Sequence, residues 1–209
     1  MSWHLVPEQI VEVAQKNRIE PALLQALIDV ESSGSGFLPD GQVKILYERH
    51  ILWRRLQIPG RNIDPRPLTR AYPNLCGRFW KPKQYPYGPS SSQWDKVNFV
   101  TAWAQKYDPG RWESYKKATY ESCSWGLFQV MGFHYEAAGF DTVYDFKHAN
   151  EESEQRQLEI ALRWMDHNGL VELLRKKDWT AFVRRYNGSG QVEAYRSKLI
   201  AAYQRYLTA

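Results

Sequence analysis

PALLQALIDVESSGSG, residues 21–36, is the stretch on which the fold turns. Pro21 suits a first helical turn, where its missing N–H would have no intrahelical partner anyway. Leu24, Leu27, Ile28 and Glu31 then recur at i, i+3, i+4 and i+7, which puts all four on one helical face. The spacing predicts a helix over Ala22–Glu31, ended by the turn-forming cluster Ser32-Ser33-Gly34-Ser35-Gly36. Glu31 therefore arrives at the C-terminal edge of an apolar stripe. Desolvation and the negative end of the helix dipole both disfavour its ionised form. A carboxyl that keeps its proton near neutrality is what a general acid requires. A local role on the helix flank is the plain alternative. Asp29 falls off this face and is expected to meet solvent.

Working outward, Pro7 opens a helix through about Lys16. The stretch from Lys44 to Leu56 reads two ways. Val43–Tyr47 suits a short strand followed by a helix-like half. Alternatively, a helix over 45–56 aligns Ile45, Glu48, Leu52 and Leu56 and brings a second carboxyl onto an apolar stripe. A salt bridge to one of the nearby arginines is the usual fate of such a glutamate. Between Pro59 and Pro89 lie seven of the eleven prolines, interleaved with Tyr72, Phe79, Trp80, Tyr85 and Tyr87. Each proline fixes φ and removes a donor, so this is an ordered irregular excursion on a helical scaffold. Helical patterning resumes over roughly 93–106, 122–131, 151–167, 169–176, 178–186 and 191–207. The class is mainly α, one domain over 1–209.

Composition narrows the function classes. The chain has 209 residues, 43% hydrophobic and 24% charged, enough to bury a core and too apolar for disorder. No apolar run approaches the ~20 residues of a membrane span. Cys76 and Cys123 read as two buried thiols, with one disulfide as the alternative. No Cys-x-x-Cys or His-x-x-x-His spacing suggests a metal, and no cofactor is expected. Residues 1–9 carry neither a basic start nor an apolar run, so no secretory signal is read and cytoplasmic synthesis is expected. Net charge is +5, but residues 44–117 hold 15 Lys and Arg against 5 Asp and Glu. A basic middle between acidic flanks suits an anionic polymer or surface, through an attractive field.

Three short motifs then converge. Ala26-Leu27-Ile28-Asp29-Val30-Glu31-Ser32-Ser33-Gly34 resembles the catalytic helix and turn of goose-type lysozymes and lytic transglycosylases. Ser124-Trp125-Gly126-Leu127-Phe128-Gln129-Val130-Met131-Gly132 is similar to the Gly-Leu-Met-Gln segment of that superfamily. Arg185-Tyr186-Asn187-Gly188-Ser189-Gly190 resembles its Ala-Tyr-Asn-Gly motif. With Ile45-Leu46-Tyr47-Glu48-Arg49-His50, the pattern resembles the N-acetylmuramidase domain of phage endolysins over about residues 8–205.

The resemblance implies a lysozyme-like, mostly helical fold with a substrate groove, and hydrolysis of the β-1,4 bond between N-acetylmuramic acid and N-acetylglucosamine. It carries Glu31 over as catalytic acid and Glu48 as the second acidic position, with Asp40, Glu121 and Asp141 as substitutes for Glu48. Ser32, Gly126, Gln129, Tyr186 and Asn187 are implied substrate-binding positions. Gln129 and Asn187 bring amides suited to N-acetyl and hydroxyl groups, and Tyr186 a hydroxyl for the acid or the sugar. Gly126 would let the backbone approach the glycan. Tyr85, Tyr87 and Trp94 are candidates for stacking on pyranose faces. Trp125 reads as core, and His50 and His134 need no role.

The implied partners are peptidoglycan glycan strands and an anionic cell envelope, reached after release from the cytoplasm, by a monomer without a separate wall-binding module. A lytic transglycosylase, which needs one acid and leaves an anhydro product, is the alternative. A basic nucleic-acid binder is the remote one, since no zinc-finger, helix-turn-helix or RNP-like pattern supports it.

Overall fold

The structure, a computed structural model, describes residues 3–32 and 34–208. The chain begins with α1 (Pro7–Lys16) and α2 (Pro21–Glu31), both opened by proline at the first turn. A short strand, β1 (Ile45–Tyr47), leads into α3 (Arg49–Leu56), and α4 (Arg66–Ala71) follows. The long α5 (Gln93–Tyr107) and α6 (Trp112–Glu121) run into β2 (Cys123–Trp125) and β3 (Val130–Met131). The chain closes with α7 (Val143–Glu152), α8 (Glu154–His167), α9 (Leu170–Arg175), α10 (Trp179–Asn187) and α11 (Val192–Leu207). The strands form one antiparallel sheet in the order β1-β2-β3, with Ile45 opposite Trp125 and Trp125 opposite Val130. Among the described residues no helix is long and apolar enough to cross a membrane.

α2 is the buried spine of this architecture. Leu23, Leu24, Ala26, Leu27 and Ile28 are all buried, so apolar side chains face neighbours on more than one side. α11 packs along it most extensively, burying Leu199, Ala202 and Tyr203, and α1 covers another flank. The helical patterning of residues 191–207 is thus realised as a helix packed on the core. Leu27 is fully buried, and truncating it to alanine would cost on the order of 2–5 kcal/mol by leaving a cavity. α2 ends where the Ser32 N–H reaches the Ile28 carbonyl at 2.8 Å and Ser32 itself turns extended.

The turn after α2 is fixed by a distant carboxylate. Glu154, in the first turn of α8, accepts from the Ser35 hydroxyl at 2.7 Å and the Gly36 N–H at 2.8 Å through Oε1. Its Oε2 accepts from the Leu5 N–H at 2.9 Å. Burial works against its charge, but these hydrogen bonds prevail and hold its carboxyl below the ordinary value. Gly36 is needed at this point. A Cβ there would lie 1.9 Å from Gln157 Oε1 and 2.9 Å from the Leu127 nitrogen.

Two expectations are corrected, and the two-way reading of Lys44–Leu56 resolves to strand then helix. Residues 122–131 are a tight β2–β3 hairpin, not a helix, because Gly126 (φ 67°) and Gln129 (φ 52°) adopt left-handed conformations that turn the chain back. The helix expected over 151–167 is broken at Ser153, whose extended backbone (φ −170°) and hydroxyl, accepting from the Arg156 N–H, start α8 afresh. Residues 45–56 are a strand and then a helix, so Glu48 does not share a helical stripe with Ile45 and Leu52; it is the N-cap of α3. The excursion over 59–89 is irregular apart from α4, as its prolines require. Cys76 and Cys123 are both buried and free.

Candidate active site

Glu31 stands at the last residue of α2, partly buried, with Oε1 shielded from solvent and lacking a hydrogen-bond partner. The Tyr186 hydroxyl, from α10, interacts with this carboxyl. Tyr186 is in turn clamped by a stacked Phe182 ring (5.4 Å between centroids, 13° between planes) and by the edge of Trp164 at 5.8 Å. Burial raises the Glu31 carboxyl to about 7, and the Tyr186 hydrogen bond only partly opposes it. The physical ordering is clear: the carboxylate loses more hydration than one phenol restores. Position at the helix C-terminus, where the dipole is negative, works in the same direction.

Glu48 forms a second cluster, assembled by the excursion. The Tyr87 hydroxyl donates to Glu48 Oε2 at 2.8 Å, and Trp80 Nε1 donates to the Tyr87 oxygen at 2.8 Å. His50 Nδ1 lies 3.2 Å from Oε2, off the line of a hydrogen bond. Burial raises the Glu48 carboxyl above its usual value, with Tyr87 and the Lys96 ammonium opposing. His50 is pushed down by burial and by Arg54 and Arg49, which favours neutral imidazole beside the carboxyl. Glu48 is held in place through its own backbone, its N–H donating to the Ser122 carbonyl at 3.0 Å. The salt bridge to arginine that a glutamate here would ordinarily find is absent among the described contacts of its carboxyl.

The remaining positions separate into those beside these carboxyls and those engaged elsewhere. Ser32 follows Glu31 directly and is partly buried, and Asn187 is exposed at the end of α10, one residue past Tyr186. Gln129 is tied into its hairpin, Nε2 donating to the Gly126 carbonyl at 2.7 Å and Oε1 accepting from the Ser124 hydroxyl at 2.8 Å. At Gly126 the close approach is made by Gln157, whose Cδ would lie 2.6 Å from an added Cβ. Gln157 also accepts from the Leu127 N–H at 2.8 Å, so α8 props the hairpin from below. Tyr85 receives the Arg49 guanidinium 4.4 Å from its ring centroid. Arg49 meanwhile donates to the Pro73 and Phe79 carbonyls at 2.8 and 2.7 Å. Trp94 gives its Nε1–H to the Val43 carbonyl at 2.9 Å and packs edge-on to Trp125, which is core as expected.

The substitutes for Glu48 divide in the same way. Glu121 is fully buried and accepts from Arg61 at 2.6 Å on each oxygen and from Arg55 at 2.7 Å. Burial opposes its charge, but the two guanidinium groups more than offset this and keep it below the ordinary range. A carboxylate locked in that way is a structural anion, not an acid or a base. Asp40 is exposed and accepts from the Gln42 N–H at 3.0 Å within a turn, and Asp141 is exposed. Asp29, off the Glu31 face, is exposed as expected and accepts from the Tyr206 hydroxyl at 2.6 Å. Sequence reasoning missed Trp80, Lys96 and Glu154. Only the Trp and Lys lie in a stretch already flagged as aromatic or basic; no local signal pairs Glu154 with residues 35–36.

The chain thus carries a partly buried glutamate with a raised carboxyl at a helix end, and a second carboxyl cluster next to a small antiparallel sheet. The N-acetylmuramidase family model matches residues 20–207. The chain belongs to the N-acetylmuramidase family. As a muramidase it is a glycoside hydrolase that degrades peptidoglycan, and its fold is lysozyme-like. Among solved structures, the crystal structure of Burkholderia AP3 phage endolysin is similar at a TM-score of 0.83 and 33% identity. The match covers 100% of this chain and 74% of that one. Comparison with curated proteins gives no match.

Proposed function

We propose that this muramidase is an endolysin-type enzyme in which Glu31 is the general acid for cleavage of the β-1,4 bond between N-acetylmuramic acid and N-acetylglucosamine. The observation that carries the reading is the Glu31 carboxyl itself: sheltered, short of hydrogen bonds, and raised to about 7 by burial. Its proton passes to the bridging oxygen as the glycosidic bond breaks, which relieves the negative charge that would otherwise build on the leaving group. Tyr186 fixes the carboxyl orientation. Glu48, with Oε2 held by Tyr87, is the second carboxyl that orients water or faces the developing oxocarbenium ion. Ser32, Asn187 and Gln129 flank the glycan, and Tyr85 and Tyr87 line the excursion side of the substrate groove. The enzyme acts as a monomer, through one catalytic domain.

The presence of a second perturbed carboxyl favours hydrolysis over the transglycosylase route, which needs Glu31 alone. Mass spectrometry of digested peptidoglycan checks this: reducing-end products are expected, and anhydro-muropeptides as the sole product would overturn it. Glu48→Gln is expected to lower kcat by roughly 100-fold with KM little changed, the lower end of the about 10²–10⁴ that one general acid or base contributes.

The pH profile follows from the direction of the shift. The active form carries a protonated Glu31, so kcat/KM is expected to fall about tenfold per pH unit above about 7. A profile flat to pH 9 would remove Glu31 as the acid. The basic middle segment supplies the proposed contact with the anionic envelope, and nucleic acid is not among the proposed partners. The lytic rate is accordingly expected to fall as ionic strength rises, since the Debye length shrinks from ~10 Å at 0.1 M to ~3 Å at 1 M. A turbidity assay across salt concentrations reads this directly, and an unchanged rate would mean the charge is idle.

A further inference from the structure

A second feature of the surface matches a carbohydrate but contains neither Glu31 nor Glu48. A depression of about 610 Å³ opens between α4, the C-terminal half of α5 and the start of α6. Its walls include Tyr72, Trp103 and Tyr107, and its polar rim is Asp64, Asp108 and Arg111. None of the lining residues belongs to α2, α10 or α11, which carry and pack around Glu31. Glu48 does not line it either. Lys96, which acts on Glu48, lies on α5 seven residues before Trp103 and eleven before Tyr107, about 10–16 Å along the helix at 1.5 Å per residue.

The chemistry of the lining selects the occupant. Tyr107 is 60% exposed, unusual for a large ring, and its centroid lies 5.4 Å from that of Trp103 with a 39° tilt. Trp103 is fixed from behind by the edge of buried Tyr115 at 5.8 Å. Two inclined rings with an immobile base offer a platform to an apolar sugar face, because stacking needs little further side-chain ordering. At the rim, Arg111 Nε lies 3.1 Å from Asp108 Oδ2, and Asp64 Oδ1 takes the Arg66 Nε–H at 2.8 Å. Paired carboxylate and guanidinium groups on a fixed backbone supply the neighbouring acceptors and donors that vicinal hydroxyls and N-acetyl groups need. The two aspartates argue against a phosphate-bearing polymer, which they would repel.

We propose that this depression is an accessory binding site for N-acetylated pyranose units of a glycan strand, separate from the site of cleavage. The inference rests on peptidoglycan being the substrate: a repeating polymer can occupy two sites on one enzyme at once. Engaging both raises the effective concentration of the wall at the catalytic acid without altering the chemical step.

The test measures co-sedimentation with purified peptidoglycan sacculi on ice, together with kinetics on sacculi and on a soluble tetrasaccharide fragment. Tyr107→Ala, Arg111→Ala and Tyr107→Phe are compared with the parent protein. Both alanine variants are expected to bind sacculi at least fivefold more weakly and to raise KM on sacculi by a similar factor. Their kcat, and their rate on the tetrasaccharide, should stay within twofold, and Tyr107→Phe should bind like the parent because the ring is kept. Sacculus binding within twofold of the parent in both alanine variants would overturn the site. So would an equal loss on the tetrasaccharide, which would place the residues in the catalytic machinery. The sedimentation arm reads binding without turnover, so it stands whichever carboxyl proves to be the acid.

Discussion

Glu31→Gln is expected to abolish lysis, lowering kcat/KM by at least about a thousandfold, while making the protein more stable at pH 8. The first effect follows from loss of the proton donor, since an amide cannot protonate the bridging oxygen and general acid catalysis is worth about 10²–10⁴. The second follows from linkage. Glu31 is raised from 4.5 to about 7 by burial, so the folded state holds a proton that the unfolded chain releases between those values. For a raised carboxyl the unfolded state binds fewer protons in that window, and stability declines as pH rises from about 4.5 to 7. Glutamine has nothing to ionise and escapes that decline. Melting curves of parent and variant should therefore converge near pH 4 and separate by pH 8, with the inactive variant melting higher. An active variant, or one that melts lower at every pH, would contradict the assignment.

Glu121→Gln is the largest expected structural effect. It removes one charge from a buried cluster in which Arg61 and Arg55 approach it within 2.7 Å, and leaves two guanidinium groups facing an amide. Breaking a buried ion pair from one side costs about 3–5 kcal/mol, far more than the pair's net worth, because the partner charge stays desolvated. For a chain of this size that lowers Tm on the order of 10 °C, at about 2–4 °C per kcal/mol. The pH sign is opposite to that of Glu31. Its depressed carboxyl contributes stability above the unfolded value, and that contribution disappears as pH falls through the folded one. The difference between parent and variant should shrink in acid. Because Ser122, the next residue, receives the Glu48 N–H, loosening this corner also disturbs the second carboxyl. Thermal denaturation followed by circular dichroism at pH 7 and pH 3 measures both points; a shift under 2 °C at pH 7 would make the cluster marginal.

These two glutamates differ in how plainly the sequence announced them. Glu31 was legible because a single helix carries both the apolar stripe and the acid, so periodicity alone places it. The elements α1, α2, α5 and α11 were legible for the same reason. Glu121 was ambiguous because its two arginines lie 60 and 66 residues away, and only the fold brings them together. Residues 122–131 were misread because strands of two and three residues are too short to show a period of two. The left-handed Gln129 that turns the chain is an uncommon conformation for a side-chain-bearing residue. Glu48 illustrates the same limit from the other side. Its environment comes from Tyr87 across 39 residues of proline-rich chain that follows no repeat.

The central claim is that the Glu31 carboxyl keeps its proton to near neutrality. It is tested most directly by following the side-chain carboxyl carbon of Glu31 by NMR across pH 3–9, assigned by comparison with Glu31→Gln. A midpoint near 7 is predicted. A midpoint near the unperturbed 4.5 would mean that position 31 is solvated and ionised during turnover, and that the acid lies elsewhere.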